Sequence, residues 1–190
     1  SAAQGLAFWE SDDMTAAELI RRADLAMYRA KAARQADVVT YSLQMDETAR
    51  DDQRIERALR RALEKPDDFA ICYQPIVAAS GRGLVRAEAL ARWTSGELGP
   101  VPPDRFIAVA EQTGLIGALG RLLIDRIASE LATVPGLSVS LNISPVQLQS
   151  PGFGAALKAA FDRHGIILSR VEVELTEGVL VADPDLAAFH

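Results

Sequence analysis

Three segments of this chain alternate in the same way, and that shared alternation constrains the fold more than any other feature. In "VRAEALARW" (85–93), Ala87, Ala89, Ala91 and Trp93 fall on one side of a strand, and Glu88, Leu90 and Arg92 on the other. In "LSVSLNIS" (137–144), Leu137, Val139, Leu141 and Ile143 oppose Ser138, Ser140, Asn142 and Ser144. In "VEVELTE" (171–177), Val171, Val173 and Leu175 oppose Glu172, Glu174 and Thr176. Each strand thus has an apolar face suited to packing under helices. Its opposite face is small or polar and reaches an acid or an amide near the C-terminal end.

"FAICYQPIV" (69–77) reads as a fourth strand. Between "VRAEALARW" and "LSVSLNIS" lie "PDRFIAVAEQTG" and "IGALGRLLIDRIASELATV", both helical in period, and "GFGAALKAAFDRHG" lies between "LSVSLNIS" and "VEVELTE". Gly165 ends that last helix, with His164 as a cation near its C-terminus. Strands alternating with helices predict an α/β fold with a parallel sheet, either open or closed into a barrel. Upstream, "GLAFW", the helix "TAAELIRRADLAMYRAKAARQ" and "DVVTY" form a small α/β piece, with Thr15 and Glu18 spaced as a capping box. Leu19, Ala23, Ala26 (or Met27) and Ala30 give that helix an apolar stripe. Three elements bury too little to stand alone, so the piece reads as the tail of a larger domain. "DDQRIERALRRALEK" reads as a linker helix starting at Asp51 and Asp52 and stopped by Pro66.

Composition removes several classes of function. The 190-residue chain is 49% hydrophobic with a net charge of −6 and no basic run, which argues against a nucleic-acid polymer or an anionic membrane as partner. No apolar stretch reaches membrane-span length and no signal-peptide layout is present. The single cysteine, Cys72, lies in an apolar run and is expected to be a small core residue. With no further cysteine and only His164 and His190, a zinc site has no support. A reducing, cytoplasmic compartment fits. The start without Met and the stop at "DLAAFH" suggest a fragment.

A polar inner face costs free energy unless its groups are paired or bind an ion. In a (β/α) barrel the inward side chains at the C-terminal strand ends build the site, and Glu88, Asn142 and Glu174 would converge there. Such an all-oxygen set suits Mg²⁺, Mn²⁺ or Ca²⁺ rather than zinc or copper. Arg92 is placed to hold a phosphate or carboxylate as a bidentate donor. The pattern alone leaves two readings open: this metal site, or a sheet with one side facing water.

The segments "YQPIV", "AEALARW", "PDRFIAVAEQTGLI", "LNISPVQL" and "VELTE", in that order, resemble the blocks of EAL domains, which are cyclic di-GMP phosphodiesterases and receptors. The resemblance covers residues 52–190. "ADLAMYRAK" followed by a strand resembles the C-terminal end of a GGDEF domain, although "ARQAD" stands where that family has "GRN", and the GGDEF signature itself is absent. The resemblance implies a fold: the N-terminal half of an EAL-type (β/α)8 TIM-like barrel, after a small α/β tail of a GGDEF domain. Residues 1–45 would be that remnant, 46–66 the linker and first EAL helix, and 67–190 the truncated first half.

It also implies roles. Glu88, Asn142 and Glu174 match metal ligands, for Mg²⁺ or Mn²⁺, with Glu88 catalytic. Arg92 matches a substrate-phosphate contact. Gln74 and Leu90 match residues lining the dinucleotide pocket, and Glu177 a glutamate supporting a catalytic loop. The implied reaction is hydrolysis of cyclic di-GMP to linear pGpG, and the family commonly pairs as homodimers. The family's paired aspartates, lysine and last glutamates have no counterpart here, so these residues alone are expected to be inactive. The alternative is a receptor that binds cyclic di-GMP without cutting it. EAL domains of that kind often lose signature ligands that this chain keeps.

Overall fold

The computed structural model of the chain describes residues 3–11, 13–32, 38–79 and 83–175. The chain divides into two compact units, Ser1–Arg54 and Ile55–His190.

In the first unit, β1 (Gln4–Leu6) and β2 (Val38–Thr40) pair in parallel on either side of α1 (Ala16–Ala32) in sequence. The predicted stripe is where α1 packs: Ala26 and Ala30 are fully buried. The helix rests directly on the β1 backbone. A Cβ on Gly5 would stand 2.1 Å from the Ala23 carbonyl oxygen and 2.2 Å from the Met27 nitrogen, so only glycine fits. Thr15 Oγ1 accepts from the Glu18 N–H at 3.2 Å, as expected of a helix N-terminus, while the Glu18 carboxylate accepts from Arg21 and Arg22. Leu6, Phe8, Trp9, Ile20 and Leu43 stay exposed, in keeping with elements too few to enclose a core.

The next helix, α2 (Leu43–Ala62), begins at Leu43, not at Asp51. No Gly or Pro interrupts residues 43–50, and Asp46 in the first turn supplies the favourable N-terminal charge. Asp51 and Asp52 are instead mid-helix and pair with Arg54 and Arg29. Arg21 reaches Asp46 at 2.6 Å, and Tyr41 donates to the same carboxylate at 2.5 Å.

Hydrogen bonds from Arg21, and then from Tyr41, hold the Asp46 carboxyl down to about 2. An unfolded aspartate titrates near 3.9, so the folded-state value is the lower one. The carboxylate therefore adds stability above about pH 4, lost as pH falls toward 2. Thermal melts from pH 5 to 2 should show a shallower acid loss for Asp46→Asn than for the unaltered chain. Parallel curves would refute this coupling.

In the second unit, the chain stops α2 before Pro66, makes a 3-10 turn at Pro66–Asp68, and enters β3 (Phe69–Val77). There follow β4 (Leu84–Ser95), β5 (Gly99–Val101), α3 (Pro103–Gln112), α4 (Ile116–Ala132), β6 (Val139–Asn142), α5 (Pro145–Leu148), α6 (Phe153–Arg163) and β7 (Val171–Glu174). The sheet order is β3-β4-β6-β7, with β5 added to the end of β4. The sheet is mixed, not all parallel. β4, β6 and β7 run parallel across helical crossovers, whereas β3 and β5 are antiparallel to β4. Residues 78–83 are too short a connection for a crossover, so β3 and β4 form a hairpin.

The apolar face packs in two clusters. Phe69, Trp93 and Phe106 interlock with Leu59 of α2 and Leu119 of α4. Val139, Leu141 and Ala89 pack under Ile127 and Leu131 of α4 and Phe161 of α6. Helix α6 ends as the sequence implies: Gly165 has φ +69°, its N–H donates to Asp162 O, and Ile166 N–H donates to Phe161 O. The His164 ring lies 3.3 Å from Asp125, which also takes Arg163. This face fixes the direction of the other.

Candidate active site on the open face of the sheet

The alternation of β4 is realised as expected. Ala87, Ala89 and Trp93 are buried, Ala91 on the same side is half-buried, Glu88 and Leu90 are half-buried, and Arg92 is exposed. Sheet register carries the same side across the neighbouring strands, because paired residues point to one face. Gln74 lies opposite Glu88, Glu88 opposite Ser140, and Ser140 opposite Glu172, which makes one row across four strands. The next row holds Cys72 opposite Leu90, and Asn142 opposite Glu174. Arg92 lies one pair further along, opposite Ala70.

The two rows meet at one contact. Asn142 Nδ2 donates to Glu88 Oε1 at 2.6 Å, joining residues 54 apart in sequence. That donation leaves the Asn142 Oδ1 available as an acceptor or ligand. Arg86, on the Glu88 face of β4, forms an ion pair with Glu172. Among the described residues, Glu88 and Glu174 have no cationic partner, and Arg92 forms no ion pair, its Nη1 donating to Ala91 O at 2.9 Å. The face therefore offers two unneutralised carboxylates beside an amide oxygen, with a guanidinium at the rim. This donor set fits a hard divalent cation. No three acidic, His or Cys side chains converge among the described residues, so such an ion would need further oxygens from water or substrate.

Six of the seven expected site residues, Gln74, Glu88, Leu90, Arg92, Asn142 and Glu174, share this face, with Gln74 exposed beside Glu88. Glu177 and Thr176 lie outside the described residues, as does His190. One expectation is overturned: Cys72 is exposed, not in the core. It shares the face of Gln74, while Phe69, Ile71 and Tyr73 turn the other way. The same alternation, applied to "FAICYQPIV", signals this. Three features escaped the sequence reading: the Arg86–Glu172 pair, the burial of Ser140, and the bond between Glu111 and Ser144. Ser140 is 0% exposed, and its hydroxyl has no partner among the described residues.

The family model of the EAL domain matches residues 56–188. The chain belongs to the EAL domain family. It is 35% identical over 192 residues to the cyclic di-GMP phosphodiesterase PdeR of Escherichia coli, covering 98% of this chain and 29% of PdeR. It is 30% identical over 190 residues to the bifunctional diguanylate cyclase/cyclic di-GMP phosphodiesterase MucR of Pseudomonas aeruginosa, covering 97% of this chain and 28% of MucR. The chain thus spans less than a third of the length of these curated relatives. Among solved structures it is similar to the PaMucR phosphodiesterase in complex with c-di-GMP, at a TM-score of 0.66 and 28% identity, covering 70% of this chain and 56% of that one. The α/β fold of this EAL chain is therefore the fold of solved EAL structures. No helix among the described residues is long and apolar enough to cross a membrane.

Proposed function

We propose that this chain carries the first half of the active site of a metal-dependent phosphodiesterase that opens cyclic di-GMP to linear pGpG. The observation that carries the reading is the contact of Asn142 with Glu88, with Glu174 in register beside it, in a chain of the EAL family. Glu88, Asn142 and Glu174 would hold Mg²⁺ or Mn²⁺, as their oxygen donors and uncompensated charge favour. Such an ion, when bound, supplies positive charge and an acidified water. Arg92 binds a substrate phosphate with its free donors, and Gln74 and Leu90 line the dinucleotide pocket. Cys72, opposite Leu90, belongs to the same floor. Glu177 supports the catalytic loop.

The finer context belongs to the same proposal. The mixed sheet is the first part of a TIM-like barrel. Residues 1–45 are the end of a GGDEF domain, a reading supported by "ADLAMYRAK" and by the 97% coverage of this chain in its match to the bifunctional MucR. The protein works in the cytoplasm on a soluble dinucleotide, as a homodimer. The 190 residues alone do not turn it over, because half of the ligand sphere has to come from other residues.

The test is direct. Full-length protein incubated with Mn²⁺ and cyclic di-GMP is expected to release linear pGpG, seen by chromatography, and chelation should stop it. Failure to form any linear product would sink the reading. Turnover by the isolated 190 residues would overturn the claim that they are insufficient.

A further inference from the structure

Asn142 is held from behind by residues outside the ligand set. Glu111, in the last turn of α3, accepts a hydrogen bond from Ser144 Oγ at 2.5 Å. Ser144 follows Asn142 by two residues and is the N-cap of α5. Its hydroxyl also accepts from the Val146 N–H at 3.2 Å, so both of its roles are filled. Its own N–H donates to Gln147 Oε1 at 3.1 Å, completing a capping box. Gln147 is 6% exposed and is wedged against α4. A Cβ on Gly120 would stand 1.8 Å from Gln147 Nε2, so the glycine makes the room for that amide. On the other side, Ile143 N–H donates to Glu174 O at 3.1 Å.

The turn after β6 is thus fixed from α3, from α4 and from β7. Only Ile143 separates this clamp from Asn142. Fixing the backbone of residues 143–144 fixes the exit of β6, and with it the direction in which the Asn142 side chain leaves the strand.

The Glu111 bond is not needed to cap α5. Ser144 and Gln147 satisfy the helix N-terminus between them, and a four-residue helix adds little stability of its own. What the carboxylate adds is a charge-assisted bond between α3 and the end of β6, shorter and stronger than a neutral one. Its consequence falls on Asn142, whose Nδ2 must stand 2.6 Å from Glu88.

We propose that Glu111 is a positioning residue for Asn142, acting through Ser144. The proposal rests on the reading of Glu88, Asn142 and Glu174 as a cation site. Outer partners that orient ligands typically change affinity or rate by about 10–100-fold when removed.

The test uses the full-length protein and two readouts, Mn²⁺ affinity by electron paramagnetic resonance titration and steady-state turnover of cyclic di-GMP. Glu111→Ala is expected to weaken Mn²⁺ binding and lower kcat by about 10–100-fold, with KM changed much less. Glu111→Gln keeps an oxygen for the Ser144 hydroxyl and should stay within about threefold of the unaltered protein on both readouts. Ser144→Ala, which also removes the cap bond from Val146, should weaken both readouts at least as much as Glu111→Ala, and the double variant should be no worse than Ser144→Ala, because Glu111 acts only through Ser144.

Glu111→Ala with Mn²⁺ affinity and kcat within about threefold of the unaltered protein overturns the proposal, as does Glu111→Gln failing as badly as Glu111→Ala. If Glu111→Ala melts below the assay temperature, Ser144→Ala carries the same expectation and the same overturning result. Glu88→Gln and Asn142→Ala separate the two levels. If these leave Mn²⁺ affinity unchanged, the cation site itself fails and takes this proposal with it. If they weaken it and Glu111→Ala does not, only the role of Glu111 fails.

Discussion

Replacing Glu88 by Gln in the full-length protein is expected to lower kcat/KM for cyclic di-GMP by about 10³-fold, several kcal/mol of lost charge stabilisation at tenfold per 1.36 kcal/mol. The substitution isolates charge from shape. The glutamine carbonyl can still accept from Asn142 Nδ2, so the contact at 2.6 Å can persist. What disappears is one of the two carboxylates on this face without a cationic partner among the described residues, the other being Glu174. On the proposed reading of this face as a cation site, the remaining amide oxygen and single carboxylate would hold a hard cation much less well. Stability should move the other way. Glu88 makes no ion pair among the described residues, and removing one of two like charges relieves repulsion, so the metal-free variant should melt no lower than the unaltered protein. Turnover within tenfold of the unaltered protein would mean that Glu88 is not a ligand.

The site was legible where a strict local period carried it. In β4 a period of two separates Ala87, Ala89, Ala91 and Trp93 from Glu88, Leu90 and Arg92, and the burial follows it except at Ala91, which is half-buried like Leu90. In β7 the register follows the same rule but the burial does not: Val171 and Glu174 are half-buried, whereas Glu172 and Val173 are both exposed. Reading failed where an apolar run hid an alternation. "FAICYQPIV" is so hydrophobic that Cys72 reads as core, yet Phe69 is buried and Cys72 exposed. The antiparallel turn of β3 against β4 was also within reach, since residues 78–83 leave no room for a crossover helix. The start of α2 was not. Asp51 and Asp52 look like a helix start, but nothing before them breaks the helix and Arg29 and Arg54 answer their charge.

Long-range pairings were beyond any local pattern. Glu88 with Asn142 depends on the register between β4 and β6, and Glu111 with Ser144 on the packing of α3 beside the strand ends. A family resemblance supplies the first, because it names ligands. It does not supply the second, because a clamp behind a ligand has no signature of its own.

Trp93→Ala is expected to destabilise the second unit by about 3–5 kcal/mol, as for other large aromatic deletions from a core. Trp93 is 2% exposed, stacked on Phe69 at 5.9 Å between ring centres and edge-on to Phe106 at 5.7 Å. Phe69 opens β3, Trp93 lies near the end of β4 and Phe106 is in α3, so the trio ties the hairpin to the helix that carries Glu111. Its indole N–H is buried without a partner among the described residues, a cost of about 1–3 kcal/mol that the ring's packing must outweigh. Trp93→Phe separates these effects. It keeps an aromatic body and removes the orphaned donor, so it should cost less than half as much as the alanine. Denaturant unfolding followed by circular dichroism reads both variants without depending on the fluorescence of the tryptophan being replaced. If the two variants are equally destabilised, the site demands the indole itself, and its N–H has a partner outside the described residues. If Trp93→Ala costs less than about 1 kcal/mol, the aromatic trio is not the anchor of β4.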